Sequence, residues 1–289
     1  MWLVFAFLSA ALLGFYDVCK KHSLRDNAVI PILFLNTFFC SLIFLPLAFQ
    51  TPFGGWEMQR FILLKAFIVL SSWLLGYIGI KHLPITIVGP INATRPVMVL
   101  VGALLIFGER LNLLQWAGVL LAILSFYLLS RSGKKEGIDF KHNRWILCTV
   151  GAAVLGAISG LYDKYLMATE DGLGLPRLTV QCWYNFYQAI LMGLMLLLLW
   201  WPSRKRSTPF QWRWSILLIS VFLSVADYVY FYSLSLDGAL ISVVSMVRRS
   251  SVLVSFMLGA LLFHEKNLRS KAIDLALVLL SMFLLWLGQ

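Results

Sequence analysis

Arg131 to Arg144 read RSGKKEGIDFKHNR, the longest polar stretch of a 289-residue chain, and on either side of it the sequence is a succession of apolar runs. A bilayer core of about 30 Å needs about 20 helical residues at about 1.5 Å each. That ruler finds five runs before the polar stretch, at about residues 2–20, 30–49, 60–80, 84–107 and 113–130. It finds five after it, at about residues 145–167, 177–201, 212–236, 240–263 and 270–288. Ten such spans leave only short connections and no room for a separate soluble domain. The fold expected is all-α: a polytopic membrane protein with five transmembrane helices in residues 1–131, a polar linker at 132–144 and five more in 145–289. The first run starts at Trp2 with no basic segment before it and ends in Tyr16-Asp17 where a signal peptide would carry small residues, so it is expected to remain as a span.

Composition agrees. Residues of the AVILMFWYC set make up 60% of the chain and charged residues 13%, against roughly 45–50% and 25% in ordinary globular proteins. A soluble enzyme is excluded. The formal charge of +11 would suggest a nucleic-acid partner if the basic residues shared one face, but they cluster in the gaps between runs, where they set orientation. The odd-numbered connections hold most of them, which places those connections in the cytoplasm and both termini outside. Cys19, Cys40, Cys148 and Cys182 have no CxxC spacing, so neither a disulfide framework nor a zinc site is indicated. No cofactor is expected, nor is nucleic acid a partner.

The two halves repeat each other. Gly14-Phe15-Tyr16-Asp17 matches Gly160-Leu161-Tyr162-Asp163 at an offset of 146, and Asn36 matches Asn185 at 149. At 153, Ser71, Tyr77, Leu83 and Arg95 fall on Ser224, Tyr230, Leu236 and Arg248. Gly102-Ala103-Leu104-Leu105 with Glu109 resembles Gly259-Ala260-Leu261-Leu262 with Glu265. The common order and steady drift indicate a duplication. Five spans per repeat is an odd number, so the second half enters the membrane from the opposite side. Inverted repeats of this kind typically belong to secondary transporters with a midplane site between the halves.

The same residues carry a family resemblance. Arg95-Pro96, then Phe107-Gly108-Glu109-Arg110-Leu111-Asn112 and Gln115-Trp116-Ala117-Gly118, with His264-Glu265-Lys266-Asn267-Leu268 in the second half, resemble the EamA type of the drug/metabolite transporter superfamily. The second half departs from the pattern at Arg249-Ser250-Ser251, where a proline is usual, and at His264, where a glycine is usual. The resemblance implies a multi-pass protein of the plasma (inner) membrane that carries a metabolite or drug, often outward, through a cavity lined by early and middle helices of both halves. Glu109 and Glu265 precede spans 5 and 10, and there helix capping is expected of them, not chemistry.

Ionisable residues at bilayer depth are functional-site candidates by default. Here they are Asp17, Arg95, Asp163, Asp227, Arg248 and Arg249. Arg95 and Arg248, related by the repeat, offer planar forks that match a carboxylate or phosphate, so they are expected to bind substrate. Asn92 lies three residues before Arg95 on the same helix face and either contacts substrate or holds the guanidinium. Tyr16, Tyr162, Tyr77 and Tyr230 are expected at the substrate, with Tyr228 and Tyr232 as further cavity-lining candidates. Asp17 and Asp163 serve either in proton coupling or in local pairs with Lys20 and Lys164. Asp227 has Leu74 as its repeat mate, which suggests a task peculiar to one half: proton coupling or holding a substrate amine. Arg249 pairs with Asp227 or points to a neighbouring helix. Pro84, Pro90 and Pro96 can kink span 4; span 9 has no proline and is expected to be straighter.

The chain carries no GxxxxGK[ST] sequence, so ATP hydrolysis by this chain is not expected. The function expected is secondary transport, as an exporter, of a small polar metabolite with an anionic group, such as an amino acid or organic acid, by alternating access. The partners expected are that substrate, the lipid bilayer, and protons or another coupling ion, with the protein acting as a monomer. The alternative is a multidrug or lipid-linked-sugar carrier that binds a cation or amphiphile through Asp227 and aromatic residues.

Overall fold

In lipid each backbone donor and acceptor must find its partner within the chain, and a helix does this segment by segment. The computed structural model describes residues 2–95, 97–98, 101–102, 112–134, 138, 140, 142–167, 172–235, 247–263, 265 and 268–288. Among these the regular elements are helices: α1 (Trp2–Leu24), α2 (Val29–Ala48), α3 (Gly55–His82), α4 (Ile85–Ala93), α5 (Leu113–Lys134), α6 (Arg144–Met167), α7 (Arg177–Met195), α8 (Trp214–Ser235), α9 (Ser251–Phe263) and α10 (Leu268–Leu287). A π-helical turn, Leu196–Trp200, and Trp201–Ser203 extend α7. Six helices are long and apolar enough to cross a bilayer: α1, α2, α3, α6, α7 with its extension, and α10; shorter apolar stretches lie in α5 and α8.

The ends of these helices show which way each one runs. Asn27 Nδ2 donates to the Gln211 carbonyl (2.7 Å), Arg213 Nη1 to that of His22 (2.7 Å), and Lys21 Nζ to that of Ile80 (2.6 Å). These bonds gather odd-numbered connections at one face. At the other, Ser233 Oγ donates to the Trp2 carbonyl (2.8 Å), Asn112 Nδ2 to that of Gly288 (2.5 Å) and Trp183 Nε1 to that of Pro52 (3.3 Å). The helices therefore alternate in direction, and α6 runs opposite to its counterpart α1.

Packing follows the same symmetry. α1 packs on α8 as α6 packs on α3, α1 on α9 as α6 on α4, and α2 on α8 as α7 on α3; α2–α7, α4–α9 and α5–α10 each join a helix to its own counterpart. Two inverted five-helix halves thus interlock, with the principal contacts between the halves. The largest apolar cluster, around Ile32, Leu33, Ile80, Ile87 and Ile219, draws on both.

Two expectations about the helices need correction. Span 9 breaks at Ser250 despite lacking a proline: Arg248 and Arg249 are helical, Ser250 forms a turn, and α9 starts at Ser251. Ser250 Oγ donates to the Val247 carbonyl (2.6 Å), and Thr94, at the corresponding break after α4, donates to that of Ile91 (2.7 Å). A short hydroxyl side chain competes for helix carbonyls and supplies the bend that proline would otherwise give. The third span starts earlier than its apolar run. Gly54 (φ +69°) and Gly55 (φ +81°) take left-handed conformations that only glycine adopts readily, and α3 begins there, five residues before position 60.

That shift changes the reading of several charges. Lys65, near the start of the run at 60–80, stands ten residues into α3, about 15 Å from its start, and is 5% exposed. Lys271 is completely buried and Lys20 is partly buried. The excess of basic residues on odd-numbered connections stands without them.

Glu265 caps a helix, but not the one it precedes. Its carboxylate accepts the Ile85 amide (2.7 Å), the Thr86 amide (3.0 Å) and the Thr86 hydroxyl, closing the N-terminus of α4 in the other half. Buried Lys271 donates to Thr86 Oγ1 (2.9 Å). The unpaired amides of a helix start attract a carboxylate from any element that can reach them. Glu265→Ala is therefore expected to destabilise the protein by about 1–2 kcal/mol, read as a lower melting temperature in detergent. Glu265→Gln should fall between, and an unchanged melting temperature for the alanine variant would contradict the cap.

Candidate functional site: a charged cavity between the halves

Where the two halves meet, α1, α3, α4, α6, α7, α8 and the segment leading into α9 enclose a cavity of about 410 Å³. Its lining contains Lys20, Lys65, Arg95, Arg248 and Arg249, and against them Asp17, Asp163 and Asp227. Of the residues singled out from sequence, the cavity brings together Arg95, Arg248, Arg249, Asn92, Tyr16, Tyr77, Tyr230, Asp17, Asp163 and Asp227.

Each carboxylate has a cation. Asp17 pairs with Lys20 one turn along α1 at 2.6 Å, one of the two expectations for it. Lys20 also lies 4.3 Å from the Tyr16 ring centroid and 5.4 Å from that of Tyr77. Asp163 pairs with Lys65 of α3, across the α3–α6 contact, where sequence offered Lys164. Lys65 also lies 4.9 Å from the Tyr184 ring. Asp227 pairs with Arg248, not Arg249, and the Arg248 guanidinium lies 4.3 Å from the Tyr230 ring.

Arg95 and Arg249 have no carboxylate within ion-pair distance among the described residues. Arg95 Nη2 donates to Asn92 Oδ1 (3.1 Å), while its buried Nε has no hydrogen-bond partner. The guanidinium is held close to α6 by the absence of a side chain there: a Cβ on Gly156 would stand 2.8 Å from Arg95 Cζ. Arg249 is exposed to the cavity.

The repeat explains this distribution. Arg248 has Asp227 as its partner, and the position equivalent to Asp227 in the first half is Leu74, so Arg95 lacks what its mate has. Asp163 has Lys65, and the equivalent stretch in the second half, residues 214–218, is Trp-Ser-Ile-Leu-Leu. Asp17 uses Lys20 of its own helix instead. Four charges without a charged counterpart in the other half, Lys20 (mate Leu166), Lys65, Asp227 (mate Leu74) and Arg249 (mate Pro96), thus break the electrostatic symmetry of the duplication.

Tyr162 does not line the cavity. Its hydroxyl donates to the Phe61 carbonyl (3.2 Å) and its ring packs near Tyr165. Neighbours on a helix are about 100° apart, and α6 is turned so that Ser159 and Asp163, four residues apart, face the cavity while Tyr162 meets α3. Tyr228 and Tyr232 lie on the outside, 65% and 46% exposed, with Tyr232 edge-on to Phe5. Sequence reasoning missed Lys65, Ser159 and Tyr184. For Lys65 the signal was present, a single lysine inside an apolar stretch. Ser159 was marked by its place one turn before Asp163.

An inverted-repeat bundle around a charged midplane cavity defines a class of polytopic membrane transport protein. A family model described as the EamA-like transporter family matches residues 1–131 and again 143–287. The chain belongs to this family, one of transporters and not of enzymes, and is an integral multi-pass membrane protein. An "Uncharacterized transporter" of Archaeoglobus fulgidus is 28% identical over 130 residues, 42% of this chain and 45% of that protein, so the chain spans about half the length of that relative. A solved structure titled "Crystal structure of protein" shares the fold, with a TM-score of 0.62 at 15% identity over 98% of this chain and 95% of that one.

The Lys65–Asp163 pair makes a prediction of its own. Removing one partner of a buried pair leaves an uncompensated charge, whereas replacing both with apolar residues does not. Lys65→Met or Asp163→Asn alone should lower stability by up to about 3 kcal/mol, and Lys65→Met with Asp163→Leu should recover much of it, as followed by melting in detergent. A double variant less stable than both singles would refute the pairing.

Proposed function

We propose that the chain is a secondary transporter, working as an exporter, of a small polar metabolite that carries an anionic group, such as an organic acid or amino acid. One observation supports this above the others: the described residues lining the cavity hold five cations against three carboxylates, and Arg95 and Arg249 are the two left without an acidic partner. A guanidinium keeps its proton at any working pH and matches a carboxylate with two parallel hydrogen bonds. Asn92 and the bare backbone at Gly156 hold that fork in place, and Asn92 keeps further hydrogen-bonding capacity for a substrate.

Alternating access follows from the two antiparallel halves. Rocking of one half against the other opens the same midplane cavity to each face in turn, and an anion that neutralises the arginines lowers the cost of closing the cavity around them. Export is the direction suggested by the resemblance to EamA transporters. Asp227 supplies a means of coupling: an anion that draws Arg248 away frees this carboxylate for a coupling ion. A multidrug reading fits less well, because a cation reaching Asp227 must first displace Arg248.

A ligand that binds only the folded protein raises its melting temperature. Anionic metabolites are expected to do so for the purified protein, and Arg95→Gln should abolish the shift while leaving the unliganded melting temperature nearly unchanged. Gly156→Val, which pushes the guanidinium out of place, should weaken binding by about tenfold, or about 1.4 kcal/mol. Stabilisation by lipophilic cations alone, lost in Asp227→Asn, would instead establish the multidrug reading.

A further inference from the structure

The electrostatics of the cavity bear on how much charge its occupant carries, an inference that rests on the anion-transport reading above. The three carboxylates are each engaged: Asp17 by Lys20, Asp163 by Lys65 and Asp227 by Arg248. The two guanidiniums that remain are not at opposite ends of the site. Arg249 lies within electrostatic reach of both Arg95 and Arg248 in the same cavity, so three guanidiniums share one region with the carboxylates of Asp227 and Asp17, the latter within reach of Arg95. All three sit beside the Thr94 and Ser250 turns, where the two repeat-related helices break. Like charges this close in a poorly polarisable interior repel strongly, and each is costly to hold at bilayer depth without a counter-charge.

The charge of a ligand decides how much of that repulsion it removes. A zwitterion leaves the surplus of two among the described residues untouched, and a monoanion halves it. A ligand with two negative charges on one small frame cancels it. We propose that the substrate is a dianion, a compact molecule bearing either two carboxylates or one phosphate monoester, with its charge shared between Arg95 and Arg249. Asn92, already bonded to Arg95 (3.1 Å), is the neutral group placed to fix the orientation of the end held there. The asymmetry of the repeat gives this preference its origin: with an aspartate at position 74, as at 227, the surplus would be one.

Affinities of the purified full-length protein, measured at pH 8, test this with two ligand series that differ in charge and little in shape. Succinate is compared with its half-amide and its diamide, and methyl phosphate with dimethyl phosphate; a phosphate monoester is mostly dianionic at that pH because its second pKa is about 6. The expected result is that the dianion of one series binds at least about tenfold tighter than its monoanionic analogue, and the series that shows it identifies carboxylate or phosphate as the source of the charge. Arg249→Gln should reduce that ratio to near one, and Arg249→Lys, which keeps the charge, should retain it, so the comparison does not depend on how well one variant folds. Equal binding of monoanion and dianion in the wild type would overturn the dianion while leaving anion transport standing. Failure of every anion in both series would overturn both.

Discussion

An ionised side chain inside a bilayer must be paired or wetted, and the cavity gathers eight such side chains among the described residues. Their positions explain why the cavity lies where it does. Three acid–base pairs and two further arginines cannot face lipid, so the helices carrying them turn those faces toward one another, while Leu, Phe and Ile side chains cover the outside. Duplication places the arginines: Arg95 and Arg248 occupy equivalent points on equivalent helices, each beside a break at which a hydroxyl side chain donates to a helix carbonyl. Divergence then separates their roles, since Asp227 engages one arginine and Leu74 leaves the other unengaged.

The cross-half cap extends this organisation to the face of the membrane. Glu265, on the connection between α9 and α10, holds the start of α4, and Arg95 follows the turn at the end of that helix. Nine residues of α4 span about 14 Å, so the helix links the connection at one face to the arginine of the cavity as a short rigid rod. The buried contact of Lys271 with Thr86 ties α10 to the same point.

Much of this was legible in the sequence, because the signals are periodic or costly. Apolar runs of bilayer length have few alternative explanations, and the repeated Gly-x-Tyr-Asp and arginine landmarks revealed the duplication and hence the inverted halves. Charged residues at depth marked the cavity for the same energetic reason. Less legible was anything dependent on helix rotation or on partners distant in sequence. Tyr162 shares a motif with Tyr16 yet turns to Phe61, Asp163 reaches across to Lys65, and Glu265 caps a helix about 180 residues away. Lys65 lay within the apolar run at 60–80 but near its edge, and the two glycines that begin the helix at Gly55 carry it deeper than the run suggests. The break at Ser250 has no proline to signal it.

The central proposal is that the cavity between the antiparallel halves binds the anionic group of a substrate and carries that substrate across the membrane. The most direct test is electrical: purified protein in proteoliposomes adsorbed on a solid-supported membrane, exposed to concentration jumps of carboxylates, phosphate esters and lipophilic cations. The account predicts transient currents on anion jumps that vanish in protein-free vesicles and in Arg95→Gln. Currents evoked by lipophilic cations and by no anion would contradict it.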